Sequence, residues 1–140
     1  MMTTFQNDVP LAHGLARLAL GVNIALHGLT RLPKIAEFSA GMEKRFAETF
    51  LPGPLVYATG YGIVLGEAII GLLLVFGLFL RPALVAGTLL MVLLLTGTCL
   101  LQNWEIAGLQ MVYVAFYAGL LATLRYDRYS VDYLRNARRR

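Results

Sequence analysis

The sequence predicts an all-α membrane protein, a transmembrane up-down four-helix bundle with a short amphipathic segment between the first and second helices. Hydrophobic residues make up 58% of the 140 residues and charged residues only 14%, whereas soluble domains carry about 25% charged residues. The apolar residues form four runs, each close to the ~20 residues that a helix needs to cross a bilayer. Short links join the last three runs, which favours antiparallel neighbours.

Breaking or polar sequences bound each run. Pro10 and Pro33 flank the first, and Pro52-Gly53-Pro54 precedes the second. The predicted spans cover residues 11–32, 55–80, 83–101 and 106–124, followed by a basic tail at 125–140. We interpret residues 1–140 as a single integral-membrane domain.

The segment between the first two spans carries apolar residues at every fourth position, namely Phe38, Met42, Phe46 and Phe50. Charged residues lie between them. This pattern predicts a short amphipathic helix that rests on the membrane interface or caps the bundle. The alternative is a solvated loop with incidental aromatic residues.

Basic residues are distributed unevenly between the two predicted sides of the membrane. Arg81 and six arginines of the tail share a side with both termini, against Arg31, Lys34, Lys44 and Arg45 on the other. The excess predicts cytoplasmic termini and a loop at 33–54 on the outer side. Because the tail arginines directly follow an apolar span, they do not indicate nucleic-acid binding.

The first span carries a stripe of polar residues within an arc of about 120° on a helical projection: His13, Arg17, Asn23, His27 and Arg31. Such a face is expected to point into the bundle, because ionisable groups are costly in lipid. Gly14, Gly21 and Gly28 follow its edge at intervals of seven residues, which allows a neighbouring helix to approach closely.

Glu67 lies near the centre of the second span, and Arg17 is its expected counter-ion. Gln110 and Tyr113 of the fourth span are expected near the level of His27. We predict a pocket lined by Arg17, His27, Glu67, Gln110 and Tyr113, with Asn23 supporting them. This group is either a hydrogen-bond network that only specifies packing or a site for an amphiphile with a polar headgroup, such as a quinone. In the second case His27 and Tyr113 contact the headgroup.

The sequence offers no resident redox centre. Cys99 is the single cysteine, and no Cys/His set has the spacing of zinc ligands. Both histidines lie on one helix, whereas a bis-histidine haem needs ligands from facing helices. We therefore expect no metal and no intrinsic cofactor, with a bound quinone as the candidate ligand and the catalytic residues unassigned.

Two stretches resemble the DoxX family of small bacterial membrane proteins. Residues 15–32 (LARLALGVNIALHGLTRL) are similar to the family's opening helix, and residues 66–82, with Glu67 and the Gly-Leu-Phe-Leu-Arg-Pro exit, are similar to its second helix. The resemblance implies a four-helix protein of the bacterial inner membrane. Some relatives are linked to quinone-coupled oxidation, including thiosulfate:quinone oxidoreductase subunits, and others to membrane oxidoreductase complexes in redox stress; many have no assigned activity.

Two function classes follow. The first is a quinone-interacting subunit of a membrane oxidoreductase. The second is a non-catalytic membrane scaffold that recruits a soluble redox partner through the 33–54 loop and the basic tail. A small-solute transporter has less support, because no pair of interrupted helices is visible. The expected partners are the lipid bilayer and a soluble or membrane redox protein, and the sequence leaves a homo-oligomer open.

Overall fold

The computed structural model describes residues 2–138, and the side chains of residues 8–138. This part of the chain forms six α-helices and two short 3-10 turns, without a β-strand. The helices are α1 (Met2–Arg31), α2 (Ile35–Arg45), α3 (Gly53–Phe76), α4 (Leu80–Leu100), α5 (Trp104–Ala122) and α6 (Val131–Ala137). The 3-10 turns cover Leu32–Lys34 and Leu124–Tyr126.

Four helical segments are long and apolar enough to cross a membrane: Asp8–Arg45, which includes most of α1 and all of α2, then Gly53–Phe76, Leu80–Leu100 and Trp104–Ala122. Large apolar side chains such as Ile69 and Leu89 are exposed on their outer surfaces, as expected for helices that face lipid. The predicted all-helical bundle is confirmed.

The turn between α3 and α4 begins earlier than the Arg81-Pro82 pair suggests. Gly77 adopts a left-handed conformation (φ +66°) and its N–H bonds back to the carbonyl oxygens of α3, which ends the helix at Phe76. Pro82 lies in the first turn of α4, where its missing N–H costs no helical hydrogen bond. The glycine, and not the proline, therefore sets this boundary.

Glycines bring the backbones of α1 and α3 into direct contact. A Cβ atom on Gly28 would lie 2.2 Å from the nitrogen of Ala68, and one on Gly71 would lie 2.1 Å from the nitrogen of Ala25. Near the other end of the pair, Gly21 packs on the backbone of Val75. These contacts fix an antiparallel register in which Glu67 lies level with Leu29.

The remaining spans pack as a second pair, α4 with α5, joined to the first through α3. The shared core contains Leu74, Leu84 and Tyr117, all fully buried. Tyr117 lies directly on Gly87 of α4. Contact between α1 and α5 is sparse, and cavities open between these two helices at both ends of the bundle.

The predicted amphipathic segment is helix α2, which packs along the first half of α3. Ser39 is completely buried against Gly60, where an added Cβ would lie 2.5 Å from the serine hydroxyl. Phe38, Met42 and Phe46 face a cavity inside the bundle. The segment therefore caps the bundle, and the solvated-loop alternative is wrong.

Candidate functional site: a polar cavity beneath α2

A cavity lies at the end of the bundle that α2 covers. Its volume is about 760 Å³, within the range of pockets that hold small molecules. Side chains from α1 to α5 line it, and most of them are apolar. The polar exceptions converge from several helices and include His27, Arg31, Arg45, Glu67, Thr98, Gln110 and Tyr113.

An ion pair between α1 and α3 forms part of the cavity wall. Arg31 Nη1 donates to Glu67 Oε2 over 2.7 Å. The Glu67 side chain is only 4% exposed, whereas that of Arg31 is 30% exposed. The guanidinium carbon also lies 4.8 Å from the centroid of the Phe38 ring on α2. Arg31 therefore neutralises a buried carboxylate and joins α1, α2 and α3.

The predicted pairing of Arg17 with Glu67 is wrong. That prediction placed the centres of the first two spans at the same depth, whereas the glycine contacts shift α1 along α3 by about two turns. In the observed register, at ~1.5 Å per residue, Arg31 lies about 3 Å and Arg17 about 18 Å from the level of Glu67. Arg17 cannot reach the carboxylate and does not line the cavity.

Arg17 instead binds the far end of α3. Its Nη1 donates to the carbonyl oxygens of Leu74 and Val75, the latter over 3.0 Å, and its Nη2 donates to the carbonyl of Tyr129 over 3.2 Å. These acceptors include carbonyls that the helix terminus leaves without partners, and a cation there is favoured by the helix dipole. Arg17, 4% exposed, thus ties the C-terminal segment to α3.

His27 lies on the cavity wall one turn before Arg31. Its Nδ1 bonds the carbonyl oxygen of Asn23 over 2.9 Å. Because a carbonyl only accepts, Nδ1 carries the proton, and Nε2 is the ring nitrogen left for a ligand. A neutral His27 can accept a hydrogen bond at Nε2, and a protonated one can donate there.

Two further hydrogen bonds fix the α5 side of the cavity. The Tyr113 hydroxyl donates to Asn23 Oδ1 over 3.2 Å, which is a direct link between α5 and α1. Gln110 Oε1 accepts from the Thr98 hydroxyl of α4 over 2.7 Å. The Gln110 amide nitrogen has two donor hydrogens, so it is well suited to donate to a ligand carbonyl in the cavity.

The structure thus brings together four of the five predicted pocket residues, His27, Glu67, Gln110 and Tyr113, with Asn23 adjacent to them. Three of the polar lining residues named above were not part of the predicted pocket: Arg31, Arg45 and Thr98. Arg31 was included in the polar stripe but not paired with Glu67, and Arg45 was counted only among the basic residues of the outer side. The stripe itself divides, since His13 and Arg17 are buried at the opposite end.

His13 borders a second, smaller cavity between α1 and α5, of about 650 Å³ and almost wholly apolar. Its Nδ1 lies 2.9 Å from the Thr123 hydroxyl, and the residue is 4% exposed. The sequence placed His13 on the polar face that is expected to point into the bundle. The buried side chain links α1 to the C-terminal end of α5.

Among the described residues no three histidine, cysteine or acidic side chains converge to hold a metal ion. The polar groups of the larger cavity comprise guanidinium, imidazole, amide, hydroxyl and a single carboxylate. This set is typical of a site that recognises an organic molecule by hydrogen bonds.

The bundle and its partly polar cavity define a class of helical membrane proteins with a ligand-sized pocket beneath a capping helix. The DoxX family model matches residues 13–100, which include most of α1 and all of α2, α3 and α4. The chain belongs to the DoxX family. Comparison with curated proteins and with solved structures gave no match.

Proposed function

We propose that this DoxX protein is a quinone-interacting subunit of a membrane oxidoreductase, located in a bacterial inner membrane with both termini in the cytoplasm. The observation that carries the proposal is the cavity beneath α2, which combines extensive apolar walls with hydrogen-bonding groups on four spanning helices. A quinone likewise combines a polar and an apolar part, since it has two carbonyl oxygens on a ring and an apolar tail.

Within this proposal the ring occupies the space between α1 and α5. His27 Nε2 and the Gln110 amide are free to meet the carbonyl oxygens, and Tyr113 forms the adjoining wall. Protonated His27 donates to a quinone oxygen, and neutral His27 accepts from a quinol hydroxyl, so the residue is suited to hold a proton that the headgroup gains or loses. The apolar residues of α2 and α4 cover the remainder.

The Arg31–Glu67 pair has a positioning role in this proposal. Glu67 fixes the guanidinium, and a fixed cation near the cavity favours electronegative oxygen atoms. The family match supports the assignment to a class of membrane proteins. The choice of a quinone as ligand is supported by the chemistry of the cavity and by the oxidoreductase roles that the resemblance implies for some relatives. Arg17 is assigned a structural role, because its donors are directed at backbone carbonyls.

Binding can be measured directly through the single tryptophan. Trp104 begins α5 next to Ile106, which lines the cavity, and a bound quinone ring should quench its fluorescence. Titration of the purified protein in lipid nanodiscs with a short-chain ubiquinone and a short-chain menaquinone should give saturable quenching. An alcohol that carries the same tail but no quinone ring serves as the control for binding of the tail alone.

Variants in the cavity can be compared with control variants elsewhere in the chain. His27→Ala and Glu67→Gln should each weaken quinone binding about tenfold, whereas His13→Ala and Glu48→Gln should leave it within about twofold. Circular dichroism confirms that each variant is folded. Unchanged affinity in both cavity variants would refute the proposal.

The scaffold alternative rests on a different surface. Helix α6 presents Leu134, Arg135 and Arg138 on its exposed side, which suits an acidic protein partner. Deletion of residues 136–140 should then abolish recovery of that partner in a mild-detergent purification, while the cavity variants lower thermal stability without changing recovery.

A further inference from the structure

A basic groove lies at the opposite end of the bundle from the quinone cavity. It has a volume of about 620 Å³ and is formed by the start of α4 and the C-terminal segment. Three arginines border it, namely Arg81, Arg125 and Arg128, and all three are exposed. The proposed quinone function does not involve this groove.

Two carboxylates, Asp127 and Asp132, also line the groove, and each accepts a hydrogen bond from a neighbouring residue. Asp132 Oδ2 accepts from the backbone N–H of Leu80 over 2.8 Å, which caps the start of α4. Asp127 accepts a hydrogen bond from the Ser130 hydroxyl. Its Oδ1 is buried and has no hydrogen-bond partner among the described residues, so this oxygen is not accessible to a ligand in the groove.

None of these three arginines has a carboxylate partner among the described side chains. Within residues 8–138 the one ion pair is that of Arg31 with Glu67, in the other cavity. The Arg125 guanidinium lies 4.7 Å from the Tyr126 ring centroid, and that of Arg128 lies 5.4 Å from the Tyr133 centroid. Arg128 also donates to the Tyr133 hydroxyl over 3.1 Å. Stacking restricts the two side chains while leaving guanidinium donors for a ligand.

The position of the groove indicates that an anionic ligand would be a membrane lipid. Arg81 follows the first residue of α4, and Arg125 lies just beyond the end of α5. Both spans therefore end at the groove, which puts it at the level of lipid headgroups. The half-buried Leu124 also lines it and adds apolar surface.

We propose that this groove binds the phosphate of an anionic phospholipid headgroup, with Arg81, Arg125 and Arg128 as its ligands. Guanidinium groups match phosphate oxygens in paired hydrogen bonds, and basic pockets at the ends of spanning helices are known to recognise such headgroups. The acyl chains of the lipid would lie along α4 and α5.

Lipid titration of the full-length protein in detergent micelles tests this proposal, with bound lipid counted by native mass spectrometry. The probes are phosphatidylglycerol, phosphatidylcholine and inorganic phosphate. The unmodified protein should retain phosphatidylglycerol at least about tenfold more tightly than phosphatidylcholine, and high salt should reduce that preference. Equal retention of the two lipids would overturn the proposal, and phosphate binding as tight as phosphatidylglycerol binding would assign the groove to a soluble phosphate compound instead.

Two variants with equal loss of charge locate the site. Arg81→Gln/Arg125→Gln should weaken phosphatidylglycerol binding roughly tenfold or more, whereas Arg135→Gln/Arg138→Gln, on the same segment but outside the groove, should weaken it less than about threefold. Equal losses would show diffuse attraction and no site. Arg81→Lys/Arg125→Lys, which keeps the charge, should recover part of the binding. If the Arg81→Gln/Arg125→Gln variant does not fold, the outcome is decided by the Arg81→Lys/Arg125→Lys variant and by the preference of the unmodified protein for phosphatidylglycerol over phosphatidylcholine.

Discussion

Arg31 of α1 and Glu67 of α3 form an ion pair with 2.7 Å between Nη1 and Oε2, and it joins two helices whose backbones are already in contact through Gly28 and Gly71. The carboxylate is nearly inaccessible, whereas part of the guanidinium faces the cavity. The pair therefore contributes to packing and to the electrostatics of the proposed site at once.

Removal of either partner should have unequal effects on stability. Arg31→Gln leaves a buried carboxylate without its cation and should lower the free energy of unfolding by about 3–5 kcal/mol. Glu67→Gln should cost about 1 kcal/mol, because the partly exposed arginine can turn towards water. Unfolding titrations in detergent, including the double variant, give the coupling energy of the pair. A coupling near zero would show that the ion pair adds nothing to stability.

Arg17 should matter for the C-terminal segment and not for ligand affinity. Arg17→Gln removes hydrogen bonds to three carbonyl oxygens and should lower the free energy of unfolding by about 2–4 kcal/mol. Amide exchange in residues 127–137 should become faster, as measured by mass spectrometry. The folded variant should bind quinone within about twofold of the unmodified protein, and Arg135→Gln serves as the charge-matched control. A large loss of quinone affinity without faster exchange would contradict this assignment.

Two glycines of α3 should respond oppositely to the same substitution. Gly71→Ala places a Cβ 2.1 Å from the backbone of Ala25 and should destabilise the protein by about 1–3 kcal/mol or more, because α1 must move away. Gly62→Ala meets nothing within 4 Å and should stabilise α3 by up to about 1 kcal/mol. Thermal unfolding in the same detergent measures both. Equal effects would mean that α1 and α3 are not packed at these positions.

The proposed orientation can be tested with single reporter cysteines. On a Cys99→Ala background, Glu48→Cys lies in the segment after α2 and Asn136→Cys lies on α6. A membrane-impermeant maleimide should label position 48 in intact cells and position 136 only after permeabilisation, because basic residues are retained on the cytoplasmic side. The reverse pattern would place the termini outside, and with them the basic groove.

The sequence predicted the four spans and the amphipathic helix because their signals are local, whereas it identified the segment that forms α6 only as part of a basic tail. Four apolar runs and the breaking sequence at 52–54 predicted the spans, and apolar residues at every fourth position from Phe38 to Phe50 predicted the amphipathic helix. Most residues of the proposed pocket were also visible, because polar side chains within long apolar runs are rare. His27, Glu67, Gln110 and Tyr113 stand out for that reason alone.

Only the tertiary structure decided which of these residues meet. The partner of Glu67 depends on how far α1 is shifted along α3, and that shift is set by the fit of Gly28 and Gly71 against Ala68 and Ala25. This register cannot be derived from the sequence of either helix alone. A shift of about two turns exchanges Arg17 for Arg31 beside the buried carboxylate, because side chains at different depths cannot pair across helices in close contact.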